Sequence, residues 1–251
     1  RTEGAPYYGE GATPKGLLVE EARTNLVTDS ESNTYFTLTN VTHTANAALA
    51  PDGSNTGIAM LETTDTGNHV AHKDITVADG TAFCFSFFVK AIGRRYGAVE
   101  FYNAGGIYST FDLVNGTMTV DTTPYDSGSN GFGGIEDYGN GWFRVHGGLT
   151  TKSGDTSGRL QIRILPDTGS GSYAGDTAKG LYIWGFQAEQ GSFPTSYIKT
   201  TGSTATRNAD VATMGPTVAP LKTTGPEIIV NGNFDTDSNW IDDDQGTGSS
   251  S

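Results

Sequence analysis

The sequence predicts an all-β protein, a sandwich or barrel of short antiparallel strands. Three observations carry that expectation. Apolar side chains alternate with polar ones in several short runs, most cleanly over Leu160–Leu165, and no run has a convincing helical period. Turn chemistry separates the runs, as at Pro51-Asp52-Gly53, Asn103-Ala104-Gly105-Gly106 and Asn115-Gly116. Glycine is abundant, 35 of 251 residues, beside many Thr and Ser. The hydrophobic fraction of 35% leaves glycine out. With glycine counted, the chain falls in the ordinary globular range of about 45–50%.

In order, Leu17-Leu18-Val19 is expected as the first strand, followed by the polar Glu20-Glu21-Ala22-Arg23. Arg23 is placed to pair with Glu20 or Glu21, a structural ion pair rather than a catalytic one. Thr34–Leu49 alternates weakly and is expected as a solvent-facing strand pair. Ile58–Glu62 and His69–Val77 follow as strands. His69 and His72 sit three apart, so a strand sends them to opposite faces, poor geometry for one shared metal. Phe83–Ala91 reads as a central strand with Phe83, Phe85, Phe87 and Val89 in the core. Tyr96–Asn103 and Ile107–Leu113 form an expected hairpin, and Asn115-Gly116 turns the chain into Thr117–Val120.

Thr122–Asn140 reads as a long loop rich in Gly, Ser and Asp. Gly141–Thr150 and Leu160–Leu165 are strands, the second with Leu160, Ile162 and Ile164 inward. Pro166–Ala178 is another polar loop. Leu181–Ala188 closes the series with apolar residues on both sides, as in a strand covered on both faces. Strict alternation puts Leu181 and Ile183 on one side and Tyr182, Trp184 and Phe186 on the other. Trp142 and Trp184, in the most regular strands, are assigned to the core.

The formal charge of −13 argues against nucleic acid as a partner, because phosphate neutralisation needs clustered Lys and Arg and the only basic doublet is Arg94-Arg95. Cys84 is the only cysteine, which excludes an intrachain disulfide and suggests a small buried hydrophobe. No apolar run approaches the ~18 residues of a membrane span, and no signal peptide is apparent, so a soluble chain is expected. It opens on Arg1 rather than Met, as an excerpt of a longer polypeptide would.

Gly16–Glu31 (GLLVEEARTNLVTDSE) and Gly180–Asp210 frame the chain. The second stretch carries Trp184-Gly185, Gln187, Glu189, Gly191, Phe193, Thr195-Ser196-Tyr197-Ile198, Gly202, Thr206-Arg207 and Ala209-Asp210. Between them lie Ala50–Ser54, Phe85–Ala91, Phe111–Thr117 and Gly139–Val145. In that order these segments resemble a jelly-roll, carbohydrate-binding-module-like domain of bacteriophage tail, fibre and other structural proteins. The resemblance covers roughly residues 15–210 and turns the expectation from any sandwich to a jelly-roll β-sandwich with an extended C-terminal segment. It implies an irregular opening segment at 1–15, the sandwich at 16–210 and a linker at 211–226. Residues 227–251 hold Glu227–Asp235 and Trp240, which are similar to the first strand of a second carbohydrate-binding module.

No Gly-x-Ser-x-Gly elbow, His-Glu-x-x-His motif or phosphate loop occurs, and the acids sit mostly in turns, so an enzyme is not expected. The resemblance implies a virion protein with other virion proteins as partners, cell-surface or environmental glycans as ligands, and a homo-oligomer, such as a trimer, as assembly. Two further readings stand beside it: a fibre or decoration domain with no sugar ligand, and the accessory module of a secreted polysaccharide-degrading enzyme. Sugar rings pack on aromatics and bond to polar side chains. The glycan-binding candidates are therefore Tyr96, Tyr102, Asn103, Tyr108, Tyr125 and Tyr173, with loop packing as the plainer role for each. No cofactor is expected beyond a structural calcium ion, for which oxygen donors are plentiful although no Asp-x-Asp-x-Asp-Gly loop exists.

Overall fold

Among the described residues, sixteen short strands lie between Arg23 and Arg207. The computed structural model describes residues 18–102, 106–121, 130–154, 156–169 and 171–211. The expected opening segment 1–15 and second-module start 227–251 lie outside the described residues, and of the linker only Val211 is described. Contacts between residues divide the chain after Val211, and the sandwich lies before that point.

The strands are β1 (Arg23–Asn25), β2 (Thr37–Thr39), β3 (Val41–Ala48), β4 (Gly57–Glu62), β5 (Thr66–Gly67), β6 (His69–Thr76), β7 (Ala82–Ile92) and β8 (Tyr96–Tyr102). They continue as β9 (Ile107–Asp112), β10 (Thr117–Asp121), β11 (Phe132–Gly139), β12 (Trp142–Thr150), β13 (Ser157–Leu165), β14 (Tyr173–Ala174), β15 (Gly180–Gln190) and β16 (Ala205–Arg207). A front sheet has the order β10-β9-β8-β13-β6-β2 and a back sheet the order β11-β12-β7-β15-β4-β3, each of six antiparallel strands. Two small ladders, β1-β16 and β14-β5, complete the architecture. The protein is an all-β sandwich. The chain moves repeatedly between the sheets, which makes the strand order consistent with a jelly-roll winding.

The core lies between the sheets and follows the alternation of the sequence. Phe83, Phe85, Phe87 and Val89 of β7 face Val99, Phe101, Ile107 and Phe111 of the front sheet, all buried. Phe83 and Phe101 bring their ring centroids to 5.3 Å, joining the two layers. Leu160, Ile162 and Ile164 of β13 point inward as expected. Cys84 is buried, and burial pushes its thiol far above the usual range, with the nearby Glu189 carboxylate adding to the effect. It is a packed side chain with no thiolate character.

Four expectations need correction. Leu18 and Val19 form no strand and are exposed, whereas the polar Arg23–Asn25 does pair, with β16. Thr34–Leu49 is not a pair, because β2 joins β6 in front and β3 joins β4 behind, with Asn40 between them at φ 54°. The expected loop 122–140 contains β11, whose glycines leave little alternation to read. Phe186 lies in the core with Leu181 and Ile183 rather than across from them. A bulge explains it: opposite β7, Trp184 pairs with Phe88 but Gln187 pairs with Ser86, so one extra residue resets the alternation. Gly185 supplies the positive φ of 65° that the bulge needs. Trp142 and Trp184 are buried core residues, as expected. With Phe88 and Ala50 they form a second cluster on the outer side of the back sheet.

Candidate functional site

Alternation in the front sheet leaves one complete surface facing outward. On β8 the inward Val99 and Phe101 leave Tyr96, Ala98, Glu100 and Tyr102 outward. On β13 the inward Leu160, Ile162 and Ile164 leave Arg159, Gln161 and Arg163 outward. The registers then fix neighbours. A single row crosses all six strands: Thr37, His72, Gln161, Glu100, Tyr108 and Asp121, each opposite the next. At about 4.8 Å per strand the row is roughly 24 Å wide. A neighbouring row places Tyr102 opposite Arg159 and Arg159 opposite Asp74.

The charges on this surface compensate one another. Arg159 grips Asp74 through two hydrogen bonds of 2.6 and 3.1 Å. Arg163 donates to Glu100 at 2.8 Å and lies over the Tyr108 ring, 5.5 Å from its centroid. Arg95 holds Asp112 by two bonds and stacks on Tyr96 at 4.8 Å. The Arg95 guanidinium keeps the Asp112 carboxyl well below the usual carboxylate range. Burial raises the Tyr108 hydroxyl above its ordinary value, so it stays a donor. Burial and the neighbouring Arg159 hold His72 below the usual histidine value. The surface therefore presents aromatic rings, a neutral imidazole, an amide and three charge pairs, with the carboxylate of Asp121 at its β10 edge. Such a surface suits a hydroxylated neutral ligand better than an ion.

Three of the six candidates named from sequence meet here: Tyr96, Tyr102 and Tyr108. Tyr102 is the most exposed, at 38%. Asn103 and Tyr125 lie outside the described residues. Tyr173 is elsewhere, at one end of the sandwich, and is engaged there. Its hydroxyl donates to Glu62 Oε1 at 2.7 Å, Arg94 stands 5.1 Å from its ring, and the ring lies 4.4 Å from that of His69. Glu62 is buried and also receives two bonds from Arg94, at 2.7 and 2.9 Å, and one from the Asp176 amide. Burial alone would raise its carboxyl, but these donors outweigh it and hold the group below its usual range. This cluster anchors the 166–178 loop onto the sheet end. Gln161, Arg159, Arg163, Glu100 and Asp74 were not singled out from sequence, and His72 was weighed there only as a metal ligand. The signal was present in the β13 alternation, whose outward half is as regular as its inward half.

The framing stretches that carry the family resemblance have a different location. Asn25, fully buried, donates to the carbonyls of Phe186 and Ile198 and accepts from the amides of Val27 and Ala188. Gln187 donates to the carbonyls of Thr195 and Ser196 and accepts from the Ile198 amide. Glu189 accepts from Thr195, and Ser30 from the Thr200 amide. Arg23 pairs with Glu21, while Glu20 accepts from the Ser196 amide and pairs with Arg207. Together these residues clasp the two ends of the module over the outer side of the back sheet.

Among the described residues no group of three or more His, Cys, Asp or Glu side chains is placed to hold a metal ion, and no helix is long and apolar enough to cross a membrane. Comparison with known proteins found no family model that matches the chain and no matching curated protein.

Proposed function

We propose that the chain is a non-catalytic, virion-associated module that binds glycans of a host or its surroundings through the outer face of the front sheet. The observation that carries this reading is the placing of Tyr96, Tyr102 and Tyr108 with Arg159, Gln161 and Arg163 on the outer face of one sheet, over the buried Glu100. Rings of this kind receive the C–H faces of a sugar, and the paired charges and the amide offer donors and acceptors to its hydroxyls. The bacteriophage setting rests on the resemblance of the framing stretches. The proposed partners are cell-surface or environmental glycans and other virion proteins.

A glycan array on the purified protein tests the proposal. Reproducible hits are expected, and Tyr102→Ala and Tyr108→Ala should each weaken them by about 5-fold or more. Hits that survive both substitutions would place binding elsewhere. A blank array, with light scattering showing a stable multimer, would favour a fibre or decoration domain without a sugar ligand.

A further inference from the structure

A second binding site lies on the opposite side of the sandwich. A cleft of about 490 Å³ opens where the two clasped ends meet β11 and β12. Cavities of several hundred Å³ with a few converging polar groups are the usual dimensions of a small-molecule site. Four exposed apolar side chains gather at this one place: Leu18 at 40%, Val19 at 54%, Tyr138 at 47% and Phe193 at 51%. Beneath them sits Arg144, only 5% exposed. Among the described residues its hydrogen-bond partner is Ser86 Oγ at 3.0 Å, and its Nε has none. Glu136 is its cross-strand neighbour, yet no ion pair forms between them. Its Nε is sealed from solvent and its guanidinium lies over the Phe88 ring at 5.4 Å, so an acceptor from the cleft would meet the terminal nitrogens.

The lining narrows the chemistry of that ligand. Two more carboxylates face the cleft, Glu20 and Glu21, but each is already committed, to Arg207 and Arg23. The uncommitted charges are therefore one cation and one anion. An anionic ligand would gain Arg144 but meet Glu136, and a cation would do the reverse. A hydroxyl both accepts and donates, so it satisfies the two together. The Tyr138 and Phe193 rings supply apolar platforms for the body of the same molecule. We infer that this cleft takes a single neutral hydroxylated ring with an apolar face, a monosaccharide unit, independently of the front-sheet surface.

Ligand-detected NMR titration of the full chain with a panel of neutral methyl glycosides and the matching uronates tests this. At least one neutral glycoside should bind, and Tyr138→Ala and Phe193→Ala should each weaken it by about 5-fold. The titration is run in a Tyr102→Ala Tyr108→Ala background, which removes front-sheet binding, so failure here is separable from failure of the glycan-face proposal. Both aromatic positions are exposed, and circular dichroism confirms that the variants fold. Three results would each overturn the inference: no neutral glycoside bound, affinity unchanged in both variants, or tighter binding of the uronate than of its neutral counterpart.

Discussion

The two outer faces of this sandwich start from the same rule and end differently. Both are the odd half of an alternating strand pattern, and both carry charged and aromatic side chains. In front, Tyr102 is 38% exposed, and the side chains of Asp74 and Arg159 are 68% and 34% exposed. Behind, Gln187 is 0%, Ser86 1%, Glu189 1% and Arg144 5% exposed. The difference is the clasp. Residues 18–30 and 191–210 lie over the back sheet and satisfy its Gln187 and Glu189, whereas the front sheet's charges pair with one another across strands. A polar outer face thus becomes a second interior or a recognition surface according to what crosses it.

Substitutions can break this contrast, and the largest effect belongs to the sealed side. Trp184 is 1% exposed and donates its indole N–H to Thr56 Oγ1 at 2.8 Å. Trp184→Ala should cost about 3–5 kcal/mol in urea denaturation. A cost below ~1 kcal/mol would mean that the second cluster is not packed as described.

Asn25→Ala comes next. It strands two buried carbonyls and two amides, at ~1–3 kcal/mol for each group left without a partner. A total near 3 kcal/mol is expected after local relaxation. Protease nicking near residue 200 should rise with it, because the substitution frees both ends of the clasp. An unchanged digestion pattern would show that the ends are held by something else.

Acid sharpens the comparison, because each face carries one histidine. His146 lies behind, and burial together with Arg144 lowers its pKa to about 4. The unfolded chain binds that proton near pH 6.5 and the folded chain only near 4, so the stability is present above 6.5 and lost as pH falls between those values. The loss should be on the order of 2 kcal/mol, allowing for partial exposure. His72, in front, is shifted in the same direction. Denaturation midpoints at pH 7 and 4.5 should lie closer together in His146→Gln than in His72→Gln, the remaining gap coming from His43 and His72, whose values are lowered too. Equal behaviour of the two variants would erase the distinction between the faces.

The smallest stability effect is expected in front. Tyr102→Ala should change stability by less than about 0.5 kcal/mol, as exposed positions usually do. Its glycan affinity should nevertheless fall. A large loss of stability would recast Tyr102 as structural.

Much of this was legible in the residues. Alternation over Phe83–Val89 and Leu160–Ile164 identified core strands because one strictly apolar face leaves the register no freedom. The hairpin at Asn115-Gly116 was readable because Gly116 supplies the positive φ of 62° that its turn needs, although the loop spans four residues, 113–116, rather than two. Phe186 was misplaced because a bulge adds one residue without any apolar signature, and Gly185 is a weak marker alone. Strand β11 was hidden by its glycines. At the front surface, tyrosines drew attention singly, but their grouping depends on registers between β6, β13, β8 and β9, which no local pattern contains. Tyr173 shows the same limit from the other side, since its partners Glu62, His69 and Arg94 lie far away in sequence.

The clasp also sets how the module bears load. Arg23, the first residue of β1, pairs with Arg207, the last of β16, and Glu20 and Asp210 exchange backbone and side-chain bonds just beyond them. Tension entering before Glu20 and leaving after Asp210 therefore pulls on adjacent points, opening the ladder one rung at a time rather than shearing all rungs together. Single-molecule pulling should show a small early step, the release of β1 and β16, before a larger one from the two main sheets. The motif that frames the fold would then act as its mechanical fuse, letting out slack at low force while the two main sheets stay folded.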